Sequence, residues 1–219
     1  MANARLSLID GSNIGDHFHL DGADRCHFMF EYTSGRGYDF SATNQLISNL
    51  KKKPSSRLTN PNAYKWKARV IRDCGTWLGQ SLNANWLKEG TLVPVPPSKA
   101  KSDPDYDDRM LQVCRAIPSA TPLDIRELVI QRESMRAAHE CGEGERPSIE
   151  EIAANYMINE DVATPVPKAI AIVDDVLTAG RHFKAMQRVL GRRFPNTVLL
   201  GLFIARRVFP NDFEIEDGL

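Results

Sequence analysis

The chain has 219 residues, 42% of them hydrophobic, enough to bury one substantial core with at most a small appended lobe. Its 28 basic and 28 acidic residues cancel, which excludes a global field favouring nucleic acid or an anionic membrane and makes any anion site a local one. Cys26, Cys74, Cys114 and Cys141 lie far apart with no CxxC pair, against a zinc site or a disulfide framework; with no apolar run near the roughly 18 residues a span requires and no signal-peptide pattern, the expectation is a cytoplasmic protein with reduced thiols.

In chain order, strands alternate with helices. Residues 26–33 read as an aromatic strand, and 41–53 as a helix closed by three lysines, which suit the negative end of the helix. Residues 54–62 read as a turn-rich linker. From Ala63, the positions Ala68, Ile71, Gly75, Leu78 and Leu82 recur at steps of three and four, one face of an amphipathic helix. A short apolar strand begins at Thr91, followed by a helix over about 106–116 and a strand over 123–131. A polar stretch, a second apolar strand, a helix over 181–192 and a strand over 197–205 complete the order. Helices between apolar strands imply an α/β protein with a parallel sheet flanked by helices.

The most informative segment is Ala169 to Gly180, AIAIVDDVLTAG. Ile170, Ala171, Ile172 and Val173 have no polar alternation, as in a parallel strand covered on both faces, so Asp174 and Asp175 are expected at its carboxyl end. In open α/β sheets that end is where ligands bind. Val176, Leu177, Thr178, Ala179 and Gly180 then form a turn whose backbone N–H groups, with Arg181 and His182 at the start of the next helix, can hold a monophosphate. Two acids beside a phosphate imply a ligand that offers them hydroxyls, and a ribose diol does so. The plainer reading of the same residues is a buried strand ending in an Asp-Asp helix cap.

Two other segments suit a dense anion. Thr91 to Lys101, TLVPVPPSKAK, ends a strand on a loop stiffened by Pro96 and Pro97 and carrying Ser98 and Lys99, a suitable pyrophosphate site or else a solvated loop. Val129 to Asn155 holds Arg132, Arg136 and His139, a Gly- and Glu-rich run from Cys141 to Glu145, Arg146, and a capping-box helix start at Ser148 and Glu151. It reads as a cationic lid, disordered when empty, whose arginines fold over pyrophosphate; an ordinary solvated loop is the alternative.

The Asp-Asp segment resembles the thirteen-residue signature of type I phosphoribosyltransferases, and the VPVP strand looks like the equivalent stretch in their ComF-like branch. The likeness runs from about Phe28 to Ala205, with Arg132, Arg146 and Asn155 in the family's order. It implies a type I phosphoribosyltransferase fold, with residues 1–62 as a small N-terminal hood-like lobe packed on a core of residues 63–219. It further implies binding of 5-phosphoribosyl-1-pyrophosphate with Mg²⁺ held at Asp174 and Asp175, release of pyrophosphate, and a homodimer. Two departures stand out. The family's zinc-ligand cysteines are missing, and the RGFNQ-type stretch after VPVP is replaced by residues 103–109, which weakens any DNA-uptake role while leaving Arg109 able to aim at phosphate.

The acceptor is less legible. Purine-salvage members of this type carry an acid where Thr178 stands, so a 6-oxopurine is disfavoured, and an amine or another nucleobase stays open. His182 replaces the usual Ser or Thr of the turn and reads either as a phosphate donor or as a helix-surface residue. Arg206 and Arg207 read by default as a solvated pair, residues 32–38 as a turn, and Tyr64, Trp66 and Trp77 as packing groups. A sensor that binds phosphoribosyl ligands without turnover remains the alternative to an enzyme.

Overall fold

A computed structural model describes residues 4–135 and 146–210. Its elements are β1 (Ser7–Leu8), β2 (Cys26–Thr33), α1 (Ala42–Leu50), α2 (Ser56–Thr59), α3 (Pro61–Ser81), α4 (Ala84–Glu89), β3 (Thr91–Pro94), α5 (Arg109–Arg115), β4 (Asp124–Ile125), β5 (Val129–Gln131), α6 (Ile149–Asn155), β6 (Tyr156–Ile158), β7 (Ala169–Leu177), α7 (Arg181–Arg193) and β8 (Val198–Val208). Six strands form one sheet in the order β1-β2-β8-β7-β3-β4, parallel except for the antiparallel β1-β2 pair. β5 and β6 form a separate antiparallel pair.

Local chemistry accounts for the helix starts. The Ser41 hydroxyl accepts from the Asn44 N–H at 3.0 Å, Asn60 accepts from Ala63 at 3.1 Å with Pro61 in the first turn, and Ser148 and Glu151 close the expected capping box. Gly75 lets α3 approach the end of α5, because a Cβ there would meet Ala116 Cβ at 2.6 Å.

Apolar cores cover both sheet faces. Ile170, Ile172 and Phe203 pack with Phe183, Met186 and Leu190 of α7, while Ala171, Val173 and Ile204 pack with Leu50 of α1, Ile71 and Leu78 of α3 and Val113 of α5. Along β7 the alternation inverts after the acids, since Val176 joins the side of Val173 and Leu177 the side of Ile172. The ladder to β8 skips a position at the same level, pairing Asp174 with Phe203 and resuming at Val176 with Ala205.

Several boundaries differ from the sequence reading. Within the segment expected as an N-terminal hood, β2 pairs with β8 from Cys26–Gly201 to Thr33–Val208 and is a strand of the main sheet. The strand expected over 123–131 breaks into β4 and β5. Arg126 sits at the break, with its guanidinium on Asp124 (2.7 and 2.8 Å) and on the carbonyls of Val162 and Pro165. The helix expected from 106 starts at Arg109, and the 54–62 linker contains α2. No helix among the described residues is long and apolar enough to cross a membrane.

Candidate functional site

β7 continues through Leu177, so the two acids lie within the strand, where successive side chains point to opposite faces. Asp175 faces α1 and α5. Its Oδ2 accepts from Arg109 Nε at 2.9 Å and Nη2 at 2.6 Å, and its Oδ1 meets Lys51 Nζ at 3.0 Å. Arg109 Nη1 also reaches Asp107 at 2.9 Å, and Asp107 meets the buried ammonium of Lys67 at 2.6 Å. Burial alone would raise the Asp175 carboxyl, but Lys51 and Arg109 hold it well below the usual carboxylate range. With 4% of its surface exposed and both oxygens paired, Asp175 is not free to share a diol with its neighbour. Arg109, which the sequence left able to aim at phosphate, is committed to Asp175 and Asp107.

Asp174 is half-buried on the opposite face, that of the α7 core. Its Oδ1 accepts from the Asp175 N–H at 2.8 Å. Burial first, and the neighbouring carboxylate second, hold it above the usual carboxylate range. Tyr156 lies close enough for the Asp174 charge to raise its phenol, after burial, and its hydroxyl is hydrogen-bonded to His182 Nδ1 at 3.0 Å. Burial lowers the proton affinity of His182. A helix-surface role is therefore ruled out for His182, which is tied to the β6 strand.

The turn beyond the acids is held from behind by the N-terminal segment. His17 donates Nδ1 to the Thr178 carbonyl, and the His19 N–H donates to the Ala179 carbonyl at 3.0 Å. A planar trans peptide places C=O and the next N–H on opposite sides, so tying these carbonyls turns the Ala179 and Gly180 N–H groups away from residues 17–19. No acceptor among the described residues takes the backbone N–H of Thr178, Ala179, Gly180, Arg181 or His182. Gly180 permits the bend with φ +93°, and a Cβ there would come within 2.9 Å of the Leu20 side chain. Thr178 is exposed; Val176 and Leu177 pack into the two cores, and Arg181 donates Nε to His19 Nε2 at 3.0 Å.

The proline loop lies one strand away. Pro94 is in register with Val173, and the Val95 N–H bonds the Val173 carbonyl at 2.9 Å, so the loop leaves the sheet at the level of Asp174. It is stitched to the segment after β5: Met135 donates to the Ser98 carbonyl (2.7 Å), Gln131 to that of Pro97 (2.6 Å), and Ala100 to Ser134 Oγ (3.0 Å). Pro96, Ser98 and Lys99 are half-buried, and no carboxylate among the described residues lies within ion-pair distance of the Lys99 ammonium, although its charge reaches Asp103. A crevice lined by Val95, Pro96, Pro97, Tyr106 and Asp107 borders this loop without reaching the 178–180 turn.

Arg132 is exposed, its guanidinium unpaired among the described residues, and its N–H donates to the Asn155 carbonyl at 2.9 Å. Asn155 Nδ2 donates to Gln131 Oε1 and the Glu133 carbonyl, both at 2.8 Å, and Oδ1 accepts from Glu133 N. Asn155 thus fastens the strand end that presents Arg132. Arg136, His139 and the run 141–145, the middle of the expected lid, lie outside the described residues.

Two groups escaped sequence reasoning. His17 and His19 stand in a loop, DGSNIGDHFHLDGAD, whose only signal was its paired histidines. Arg206 and Arg207 are not solvated: Arg206 bonds Asp16 at 2.9 Å and Glu31 at 2.6 Å, and Arg207 is buried. Trp66, by contrast, is not a packing group but stands 44% exposed.

Among the described residues no cluster of three His, Cys, Asp or Glu could hold a metal. With Asp175 paired, one carboxylate, Asp174, fits a Mg²⁺ that takes most of its ligands from substrate and water. No protein-family model matches the sequence, and a search of the curated proteins finds no match.

Proposed function

We propose that the chain is a phosphoribosyltransferase of the type I kind. It would bind 5-phosphoribosyl-1-pyrophosphate with Mg²⁺ and exchange pyrophosphate for a nitrogen acceptor. The observation that carries the reading is the 178–182 turn, whose amides have no acceptor among the described residues and which follows the strand of Asp174, with the Lys99 loop leaving the neighbouring strand at the level of Asp174. A sugar phosphate fits that sequence of groups: phosphate on the amides, hydroxyls on Asp174, and the second anion toward Lys99 and Arg132.

In this reading the bond from the anomeric carbon to pyrophosphate oxygen breaks, with the electron pair leaving on oxygen, and a bond to the acceptor nitrogen forms. The ring gains positive charge as this happens, and the Asp174 carboxylate beside its hydroxyls stabilises it. Lys99 and Arg132 offset the charge that accumulates on the leaving group. Bound Mg²⁺ would supply further neutralisation of pyrophosphate.

The test is incubation with the activated sugar, Mg²⁺ and a pool of nucleobases and amines, scored by pyrophosphate release, alongside calorimetry of the sugar with wild-type protein and Asp174→Asn. Release that depends on one component supports the transferase; unchanged affinity in Asp174→Asn refutes the cradle. A ligand sensor is the second reading, favoured by the pairing of Asp175 with Lys51 and Arg109, which leaves a single carboxylate at the sugar. Tight binding without release in any mixture would select it.

A further inference from the structure

Among the described residues the Tyr156 hydroxyl has one hydrogen-bond neighbour, His182 Nδ1 at 3.0 Å, and Tyr156 is only 3% exposed. If the ring nitrogen donated to the hydroxyl, the buried phenol proton would have no acceptor, whereas an unprotonated Nδ1 accepts it. The phenol therefore donates and Nδ1 accepts. A neutral imidazole carries a single ring proton, which then sits on Nε2. Burial favours this neutral form of the ring and also keeps the phenol protonated. His182 is half-buried, and its Nε2 has no partner among the described residues.

The rest of the fold holds the phenol still. The Tyr156 N–H bonds the Ile152 and Ala153 carbonyls at the end of α6, Tyr156 pairs with Gln131 of β5, and its side chain packs in one core with Phe183 and Met186 of α7. His182 is the second residue of α7, directly after the bend whose amides lack acceptors. The charges of Asp175 and Lys51 act on its ring and that of Asp174 on its phenol partner, in keeping with a pair that stands toward the two acids. We propose that Tyr156 is a positioning residue that fixes the Nε2–H tautomer of His182, and that this neutral N–H joins the 178–182 amides in holding the phosphate of the ligand. The phosphate role rests on the sugar-phosphate reading of the turn; the tautomer does not. A Ser or Thr hydroxyl at this position turns its own proton toward an anion, but an imidazole needs a neighbour to decide which nitrogen is protonated. The opposite tautomer would aim a lone pair at the phosphate.

The experiment reads the His182 tautomer by nitrogen NMR of the unliganded full chain near neutral pH, and ribose 5-phosphate binding by calorimetry. It compares wild type, Tyr156→Phe, His182→Leu, His182→Gln and the Tyr156→Phe/His182→Gln double variant. Wild type is expected to show the Nε2–H form alone, and Tyr156→Phe a mixture of both forms. Affinity should fall about tenfold or more in His182→Leu, the loss of one charge-assisted hydrogen bond. In Tyr156→Phe it should fall at least about twofold, as about half the rings lack the Nε2 proton. A Gln amide supplies an N–H near the Nε2 position with no tautomer to set, so His182→Gln should keep most of the affinity and adding Tyr156→Phe should cost nothing further. A merely structural Tyr156 would cost the same in both backgrounds. An Nδ1–H ring in wild type, unchanged affinity in a folded His182→Leu, or an equal Tyr156→Phe loss in the Gln background overturns the proposal. An Nδ1–H ring in a protein that binds ribose 5-phosphate removes the tautomer alone, whereas failure of wild type to bind ribose 5-phosphate removes the phosphate role together with the transferase reading.

Discussion

Arg109 grips Asp175 through two nitrogens on one oxygen, Nε at 2.9 Å and Nη2 at 2.6 Å, and so fixes the second acid of the pair as part of the scaffold. The guanidinium continues to Asp107, which meets Lys67, itself donating to the carbonyls of Leu50 and Lys52, so α1, α3, α5 and β7 are joined through one buried chain of charges. Removing one member leaves the others buried and uncompensated. Arg109→Met should cost about 3–5 kcal/mol of stability, read by urea unfolding at neutral pH. A loss below about 1 kcal/mol would mean the network is solvated.

The same pair sets an acid limit on the fold. The Asp175 carboxyl is depressed in the folded state, so its contribution is fully present above the ordinary value of about 4 and is lost as pH falls below it toward the folded one. Urea midpoints should fall between pH 5 and pH 3 by more in wild type than in Arg109→Met, about those values being set by the ordinary carboxylate range. Parallel declines in the two proteins would remove Asp175 from the account.

Asp174 has the opposite sign. Its carboxyl is raised, so its contribution to stability is present below the ordinary carboxylate value and is lost as pH rises through the folded one. Asp174→Asn should therefore be at least as stable as wild type at alkaline pH while losing Mg²⁺-dependent sugar binding. Wild-type binding should tighten as pH rises through the Asp174 transition, and the Asn variant should show a flat profile. Calorimetry across pH checks both, and a rise that survives in Asp174→Asn would assign it elsewhere.

Gly180 tests the turn. A non-glycine residue at φ +93° costs about 1–2 kcal/mol, and the approach of a Cβ to Leu20 falls on a movable side chain, so the backbone cost dominates. Gly180→Ala should remain folded and lose affinity for ribose 5-phosphate, because relaxing φ turns the amides. Undiminished binding would place the phosphate elsewhere.

The local parts of this site were legible in the sequence because short-range patterns define them. The apolar run of β7, the small-residue bend and α7 follow one another along the chain, and the Ser148–Glu151 cap needs only neighbours three residues apart. What each acid faces was not legible. The inversion of alternation after Asp175 depends on register with β8, and the partners of Asp175 come from residues 51 and 109. Likewise, that Arg207 is buried and that His17 backs Thr178 depends on how residues 10–24 fold over the end of β8, which no periodicity encodes. The strand break at Arg126 is similar, since the carbonyls it satisfies lie beyond residue 160.

Arg132 separates binding from chemistry. Asn155 holds the backbone of Arg132 and Glu133 and the side chain of Gln131, so truncating the Arg132 side chain leaves the strand end in place. If its guanidinium meets charge only as pyrophosphate departs, Arg132→Ala should lower kcat by about 10²-fold, the scale of one lost charge-stabilising donor. Affinity for ribose 5-phosphate, which lacks the leaving group, should change by no more than about twofold. Single-turnover pyrophosphate release beside ribose 5-phosphate calorimetry gives the two numbers. Equal losses in both would show that Arg132 acts on the ground state, and the role of charge stabiliser would then fall to Lys99.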